Sequence, residues 1–127
     1  EHIKDDMAAV NNLYKLLKKN GKLILLVPAH QFLYGEIDRS IGHFRRYNKM
    51  GLIKRLEGLG FQVIRSRNLN FLGALGWFIV GKILQKENVG EGNIKIFNLI
   101  APFILPLEDL FEPPIGTSIL IIAQKND

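Results

Sequence analysis

The chain has 127 residues, 47% of them hydrophobic and 23% charged, which suits one domain with a real core. Its 17 basic and 12 acidic residues leave a net charge of +5, but the basic ones are dispersed, which argues against a nucleic-acid-binding protein. The absence of cysteine excludes a disulfide framework and a thiolate metal site. Glu1 has no initiator Met and no signal peptide is visible, so we expect a partial domain of a cytoplasmic protein.

The first predicted elements are a helix and a strand. Asp5 and Asp6 open the helix, and Asn20-Gly21 supplies a left-handed stop. Apolar residues recur at helical spacing and predict one buried stripe, Val10, Leu13, Tyr14 and Leu17. The apolar run from Lys22 to Val27 lacks alternation, which is typical of a strand covered on both faces in a parallel sheet.

A connection of about twenty residues follows, from Pro28 to Tyr47, where about 2 to 6 are usual. Long loops in compact domains are usually functional or disordered, and the aromatic residues in this one argue against disorder. A loop that leaves the carboxyl end of a parallel strand faces the ligand crevice. We therefore expect a wall of a binding site that carries His30, Tyr34, Glu36, Asp38, His43, Arg45, Arg46 and Tyr47.

A helix and a second strand come after the loop. Asn48 is suited to cap the helix and Gly60 to end it. The apolar side of this helix carries Leu52, Ile53, Leu56 and Leu59. Residues Phe61 to Arg67 read as a strand, so the pattern predicts a parallel βαβ unit.

Two apolar stretches, Phe71 to Leu84 and Ile94 to Phe111, are joined by a polar turn from Gln85 to Asn93. Charged residues and prolines interrupt them, so we expect two buried or mutually packed helices rather than membrane spans. An interfacial membrane hairpin and a lid over an apolar substrate are the alternatives. The β-branched run from Thr117 to Ala123 predicts a last strand, too apolar for a sheet edge.

Several short pieces of the sequence are informative through their order and spacing: Glu1-His2-Ile3-Lys4-Asp5-Asp6, Asn20 to Ala29, Asp38, Gly42-His43-Phe44-Arg45-Arg46-Tyr47, Leu59-Gly60-Phe61, Asn70, Leu72-Gly73 and Trp77. Together they resemble the carboxyl half of class I S-adenosylmethionine (SAM)-dependent methyltransferases. The likeness is greatest to small-molecule methyltransferases with a Gly-His-x-Arg-Arg-Tyr loop, and it covers residues 1 to about 80.

The resemblance implies the carboxyl part of a three-layer, Rossmann-like α/β fold with a helical cap at 68–112. Leu23 to Val27 and Phe61 to Arg67 would be its fifth and sixth strands, and Thr117 to Ala123 the antiparallel seventh strand inserted between them. The family's glycine-rich SAM loop has no counterpart in this sequence. We therefore expect a methyltransferase fragment, inactive alone, whose open sheet edge allows a homodimer.

The resemblance also suggests roles for the loop residues. Glu1 and His2 would lie at the methyl donor SAM, which is the co-substrate of the whole enzyme. His43 is the candidate base, because its unperturbed pKa is near neutrality, but its ring is equally suited to pin the loop through a backbone group. Asp38 would orient His43 or hold a substrate hydroxyl, or it would pair with Arg45 or Arg46.

The remaining loop residues are candidates for acceptor binding. Arg45 and Arg46 suit a carboxylate or phosphate, and Tyr34 and Tyr47 would line the pocket together with His30. Tyr47 is also suited to staple the helix that follows. The spacing of His30, Glu36, Asp38 and His43 matches no metal signature, so we expect no metal site.

The sequence thus predicts SAM-dependent methyl transfer to a small-molecule or lipid-like acceptor, with peripheral membrane contact as a further possibility. The alternative is a non-catalytic module that keeps this fold and acts in assembly or at a membrane surface. A nucleic-acid methyltransferase is disfavoured by the dispersed charge.

Overall fold

A computed structural model describes residues 1–83 and 90–126. The helices are α1 (Asp6–Leu16), α2 (Glu36–Ser40), α3 (Lys49–Gly58), α4 (Phe71–Trp77) and α5 (Glu91–Leu110). The strands are β1 (Lys22–Pro28), β2 (Phe61–Leu69) and β3 (Ser118–Lys125). A 3₁₀ turn covers Gln31–Leu33, and a π-helical segment, Phe78–Ile83, continues α4.

The three strands form one sheet in the order β1-β3-β2. Strand β3 is antiparallel to both neighbours, pairing Leu25 with Ile121 on one side and Ser66 with Ile121 on the other. Strands β1 and β2 therefore run parallel to each other on either side of it. This confirms the predicted antiparallel last strand between two parallel ones, and its central position explains its apolar sequence.

The core lies between one face of the sheet and the helices α1 and α3. Ile119, Ile121 and Ala123 of β3 are fully buried there, against Leu52 and Leu56 of α3. Helix α1 adds Val10, Tyr14 and Leu17 to the same side. Both long helices of this half of the chain thus cover one face of the sheet.

The opposite face of the sheet is open in the described residues. Ile24 and Leu26 of β1 are 66% and 61% exposed. The expectation that β1 is covered on both faces was therefore wrong for the described residues, while the three-layer architecture stays a prediction. An unbroken apolar run shows that both faces of the strand carry apolar side chains. It does not show which element covers the second face.

The helix boundaries follow their caps. The Asp5 carboxylate accepts a hydrogen bond from the Ala8 amide at 3.0 Å, and the Asn48 side chain accepts one from the Gly51 amide at 3.0 Å. Gly60 closes α3 with a φ of 98°, a conformation that favours glycine. In α1 the predicted buried stripe is incomplete, since Leu13 is 41% exposed.

The helical pair between β2 and β3 is less buried than predicted. Ala74 and Val80 on the first segment and Ala101 on α5 are buried, and α4 contacts α5. Most apolar side chains of α5 are nevertheless exposed, including Leu99, Phe103 and Leu110 at 72 to 76%. Of the two predicted alternatives, mutual packing is therefore supported by the contact between α4 and α5, whereas burial does not hold for α5. A helix with many apolar side chains needs partners on every side to be buried.

The remaining predictions for this segment concern its turn and the membrane. Leu84 and most of the predicted turn, 85–93, lie outside the described residues, and α5 begins within that turn at Glu91. Across 1–83 and 90–126, no helix combines the length and hydropathy needed to cross a bilayer.

Candidate functional site

A cavity of about 320 Å³ lies at the carboxyl ends of the parallel strands β1 and β2. This is the edge of an α/β sheet where ligands usually bind. Its lining residues come from five parts of the chain: Glu1, Leu26, Val27, Pro28, His43, Arg46, Asn70, Gly73, Trp77, Thr117 and Ser118. The loop predicted as a binding wall therefore supplies His43 and Arg46.

The long loop returns to the strand that it left. Tyr47 donates its amide to the Pro28 carbonyl at 2.8 Å, and the His30 amide donates to the Tyr47 carbonyl at 2.8 Å. Between these two ends the chain forms the 3₁₀ turn and α2, whose residues Leu33 and Ile37 are buried. The loop is therefore an ordered subdomain with its own apolar contacts, and this order fixes the polar side chains that it carries.

Asp38 is the centre of the site, with a side chain that is fully buried. Both carboxylate oxygens accept from Arg46 Nε, Oδ1 at 2.9 Å and Oδ2 at 3.0 Å. Oδ1 also bonds His43 Nδ1 at 2.8 Å. The Gly35 amide donates at 3.1 Å and the Trp77 indole at 3.4 Å. A buried carboxylate needs such partners, because an unpaired one is too costly to desolvate.

The environment of Asp38 has opposing effects on its pKa. Burial alone raises the pKa of this carboxyl, while the hydrogen bonds from Arg46 and His43 and the charge of Arg46 lower it. The bonding effects outweigh burial, and the pKa lies below its ordinary value. Asp38 is therefore a carboxylate at neutral pH and acts as a hydrogen-bond acceptor toward His43.

Arg46 is held on three sides. Besides its bonds to Asp38, it donates from Nη1 to the Ala29 carbonyl at 3.3 Å, and its guanidinium lies 4.7 Å from the centre of the Trp77 ring. The side chain is 2% exposed. Stacking on an aromatic ring suits the planar guanidinium better than an ammonium group. Arg46 is thus a fixed positive charge in the wall of the cavity.

His43 is held by its ring and by its backbone. The Tyr34 hydroxyl donates to the His43 carbonyl at 2.7 Å, and the ring Nδ1 contacts Asp38. The His2 ring lies edge-on to the His43 ring, with centroids 4.7 Å apart, and His2 Nδ1 bonds the Gly42 carbonyl at 3.3 Å. Asp38 thus orients the His43 ring, which was one of the alternatives for Asp38. The ring bonds this side chain rather than a backbone group, and the role of His43 as a base stays a prediction.

Arg45 and Tyr47 belong to a second cluster that does not line the cavity. Arg45 pairs with Asp6 at 3.0 Å and bonds the Lys4 carbonyl at 2.6 Å, and Arg55 also reaches Asp6 at 2.9 Å. Burial and the neighbouring Asp6 raise the pKa of Tyr47 to about 12. This cluster joins the loop to the start of α1.

The other predicted residues also lie away from the cavity. Tyr34 supports His43 from behind, and the exposed Glu36 pairs with Arg39. His30 lies beside Phe32 with its Nε2 atom buried and unbonded, and burial followed by the charges of Arg46 and Lys49 lowers its pKa. The structure thus brings together Glu1, His2, Asp38, His43 and Arg46, and it places His30, Tyr34, Arg45 and Tyr47 outside the cavity lining.

Sequence reasoning assigned no role to Asn70 and Trp77. Asn70 has a φ of 64°, and its side chain accepts a bond from the Gly73 amide at 2.8 Å to start α4. The buried Glu108 carboxylate accepts from the Asn70 amide at 2.6 Å and from the Phe71 amide at 2.8 Å. These bonds fix the start of α4 and so place Trp77 over Arg46. The signal available in the sequence was the single Trp after an Asn and two Gly residues.

A second, larger cavity of about 720 Å³ lies along α5. It shares Asn70 with the first cavity, so the two are adjacent. Its lining is mainly apolar: Leu69, Asn70, Phe97, Asn98, Ala101, Pro102, Leu105, Pro106 and Glu108.

Comparison with known proteins gives a structural match only. No protein-family model matches the chain, and no curated protein sequence does either. Among solved structures, the crystal structure of a "putative methyltransferase" from Bacillus halodurans C-125 matches with a TM-score of 0.53 and 20% sequence identity. The chain therefore shares its fold with part of that protein. The match covers 99% of this chain but 60% of the Bacillus halodurans chain, so the present chain spans less than two thirds of that protein.

Proposed function

We propose that this chain is the carboxyl-terminal, acceptor-binding part of a SAM-dependent methyltransferase that acts on a small-molecule or lipid-like acceptor. Its sheet would be the carboxyl half of a Rossmann-like sheet. The observation that carries the proposal is the Asp38–His43 pair, fixed by the buried Arg46, at a cavity on the carboxyl edge of a methyltransferase fold.

The residues present suit part of the SAM molecule. Glu1 lines the cavity, and its carboxylate offers a partner for a sulfonium cation, while the sequence has no glycine-rich loop for the rest of SAM. SAM would supply an activated methyl group that leaves its sulfur when an acceptor atom attacks in line. In this proposal Glu1 and His2 would lie at that end of the cavity.

The chain's own residues position the acceptor and take its proton. Methyl transfer needs mainly a near-attack arrangement, plus a base where the acceptor atom carries a proton. Because Nδ1 of His43 is bonded to the Asp38 carboxylate, its Nε2 is the atom left to accept that proton. Asp38 stabilises the resulting imidazolium, and Arg46 keeps Asp38 in place.

The second cavity and the exposed face of α5 favour a lipid-like acceptor. The apolar cavity of about 720 Å³ adjoins the polar one at Asn70, so one molecule could place an apolar tail along α5 and its reactive group near His43. The exposed side chains of α5 suit contact with a bilayer surface that supplies such a molecule. Membrane contact is thus part of this proposal.

The experiment measures transfer of a tritiated methyl group from SAM by the native full-length protein. Alkylphenols with tails of increasing length are the probes, because they join one acidic hydroxyl to a variable apolar part. We expect turnover to rise with tail length and His43→Gln to lower it by about 10²- to 10⁴-fold, the usual contribution of general base catalysis. Arg39→Ala is the matched control, since Arg39 is exposed on the same loop, where its side chain pairs with Glu36 and lies over the Tyr34 ring outside the cavity lining.

The alternative is a non-catalytic module of the same fold. It predicts no methyl transfer to any probe and no SAM binding by the full-length protein, together with association at vesicles. If the protein does transfer methyl groups, equal turnover in His43→Gln and the unmodified protein would argue against the catalytic role of His43.

A further inference from the structure

Glu1, His2 and His43 form a cluster of potential metal ligands. One ligand atom from each residue lies within 4.8 Å of the others. Of the loop residues predicted not to form a metal site, only His43 belongs to this cluster: Asp38 is buried beneath Arg46 and Glu36 pairs with Arg39. This cluster is therefore not the group of loop residues whose spacing matched no metal signature.

Both imidazoles are held by their Nδ1 atoms. His43 Nδ1 lies 2.8 Å from an Asp38 oxygen, and His2 Nδ1 lies 3.3 Å from the Gly42 carbonyl oxygen. A ring nitrogen beside such an acceptor carries the proton, which leaves each Nε2 with a free lone pair. Metal-binding histidines are usually oriented in this way, by a carboxylate or a carbonyl on the other ring nitrogen.

The support behind His43 is unusually firm for a residue near the surface. Asp38 is fully buried and is itself held by Arg46 at 2.9 and 3.0 Å, so the His43 ring has little freedom. The positive charge of Arg46 is balanced by this contact. A carboxylate that hydrogen-bonds a ligand histidine also raises the basicity of that ligand.

We infer that Glu1, His2 and His43 bind a divalent first-row cation such as Zn²⁺ at the mouth of the smaller cavity. Two imidazoles and one carboxylate are the donors that Zn²⁺ and its neighbours take. Zinc bonds of about 2.0 to 2.2 Å place tetrahedral ligand atoms about 3.3 Å apart, so the more exposed side chains of His2 and Glu1 close on the fixed His43.

Three protein ligands leave a position open, and Glu1 and His43 both line the cavity. The cation would present that position to an oxygen of a molecule in the cavity and lower the pKa of a bound hydroxyl, whose proton then leaves to solvent. With the cation bound, His43 Nε2 has no lone pair for a proton. The base role of His43 and the contact of Glu1 with a sulfonium therefore belong to the cation-free protein.

The test uses untagged protein that has been treated with a chelator and dialysed. Co²⁺ is added while the visible d–d absorption is recorded, and Zn²⁺ is then titrated by calorimetry. We expect one cation per chain, with Co²⁺ bands that Zn²⁺ abolishes. His2→Ala and Glu1→Gln should each weaken binding by about 10-fold or more, by analogy with the loss on removing a supporting group.

His30→Asn is the matched control, because it removes the third histidine and Asn tolerates the positive φ of 61° at this position. It should leave cation binding unchanged. His2 is exposed, so its variant tests the site even if His43 variants fail to fold.

Absence of binding, or affinity that survives both His2→Ala and Glu1→Gln, overturns the inference, and so does loss of binding in His30→Asn. Cation binding is measured without SAM or acceptor. A protein that binds the cation yet transfers no methyl group would therefore refute the proposed function and support this inference.

Discussion

Arg45 and Arg46 are adjacent in sequence but belong to different parts of the molecule. Arg45 pairs with Asp6 at the start of α1, and its side chain is 27% exposed. Arg46 pairs with Asp38 in the cavity wall, where the two side chains are 2% and 0% exposed. One dipeptide thus serves both a surface ion pair and a buried site.

The comparison shows that the effect of an Arg–Asp ion pair on stability depends on how deeply the pair is buried. A partly exposed ion pair is screened by water and contributes little to stability. A buried pair costs a great deal to desolvate, so removing one partner leaves a charge that nothing compensates. Arg46 is therefore important both for the stability of the fold and for the cavity wall. Arg45 is less important for stability and does not line the cavity.

The largest expected effect separates the two arginines by stability. Arg46→Ala should lower the free energy of unfolding by about 3 to 5 kcal/mol, because it leaves the buried Asp38 carboxylate without the arginine that balances its charge. Arg45→Ala should lower it by about 1 kcal/mol or less. Urea denaturation followed by Trp77 fluorescence measures both, since Trp77 is the single tryptophan and lies against Arg46. Similar losses in the two variants would contradict the assigned environments.

A second effect concerns acid. The pKa values of Asp38 and Asp6 are both lowered in the folded protein. Each carboxylate thus contributes stability that is complete above its unfolded pKa, near 3.9, and is lost as the pH falls through the lower folded pKa. Asp38→Asn should reduce the slope of stability against pH in this acid range, and Asp6→Asn should reduce it less. Urea midpoints recorded as a function of pH give the slopes, and an unchanged slope in Asp38→Asn would refute the assignment.

The smallest expected effect concerns Tyr47 in the Arg45 cluster. Burial and Asp6 raise its pKa to about 12, above the ordinary value of 10.0. Its stabilising contribution is therefore present below pH 10 and is lost as the pH rises toward 12. Asp6→Asn should lower this pKa, and tyrosinate absorbance measures it, with Tyr47→Phe identifying the signal among the three tyrosines. Titration of all three near pH 10 would contradict the buried setting of Tyr47.

Elements with local signals were predictable from the sequence. Helix α1 begins at the predicted Asp5–Asp6, and α3 lies between the predicted Asn48 and Gly60, because caps depend on a few neighbouring residues. The length of the loop predicted a site wall, and the sequence allowed a contact between Asp38 and His43 that the structure contains.

Features that depend on distant partners were not predictable in the same way. The sequence could not show which arginine is buried and which is partly exposed. That depends on where Asp38, the partner of Arg46, and Asp6, the partner of Arg45, lie in the fold. Trp77 reaches Asp38 only because Glu108, far along the chain, fixes the start of α4. The exposure of Ile24 and Leu26 depends on which elements pack on the sheet. The identity of an apolar residue does not reveal whether such an element is present.

The position of β3 has a consequence for how the protein is made. In the part of the chain that the structure describes, strands β1 and β2 are joined only through β3, and the Gln124 side chain bonds the Asn20 carbonyl across 104 positions of the chain. On the ribosome, β1 and β2 therefore emerge with unpaired edges and wait for the strand that links them. Contacts at such separations also slow folding. The nascent chain should consequently be a client for chaperones that shield apolar strands until Ser118 to Lys125 has been released.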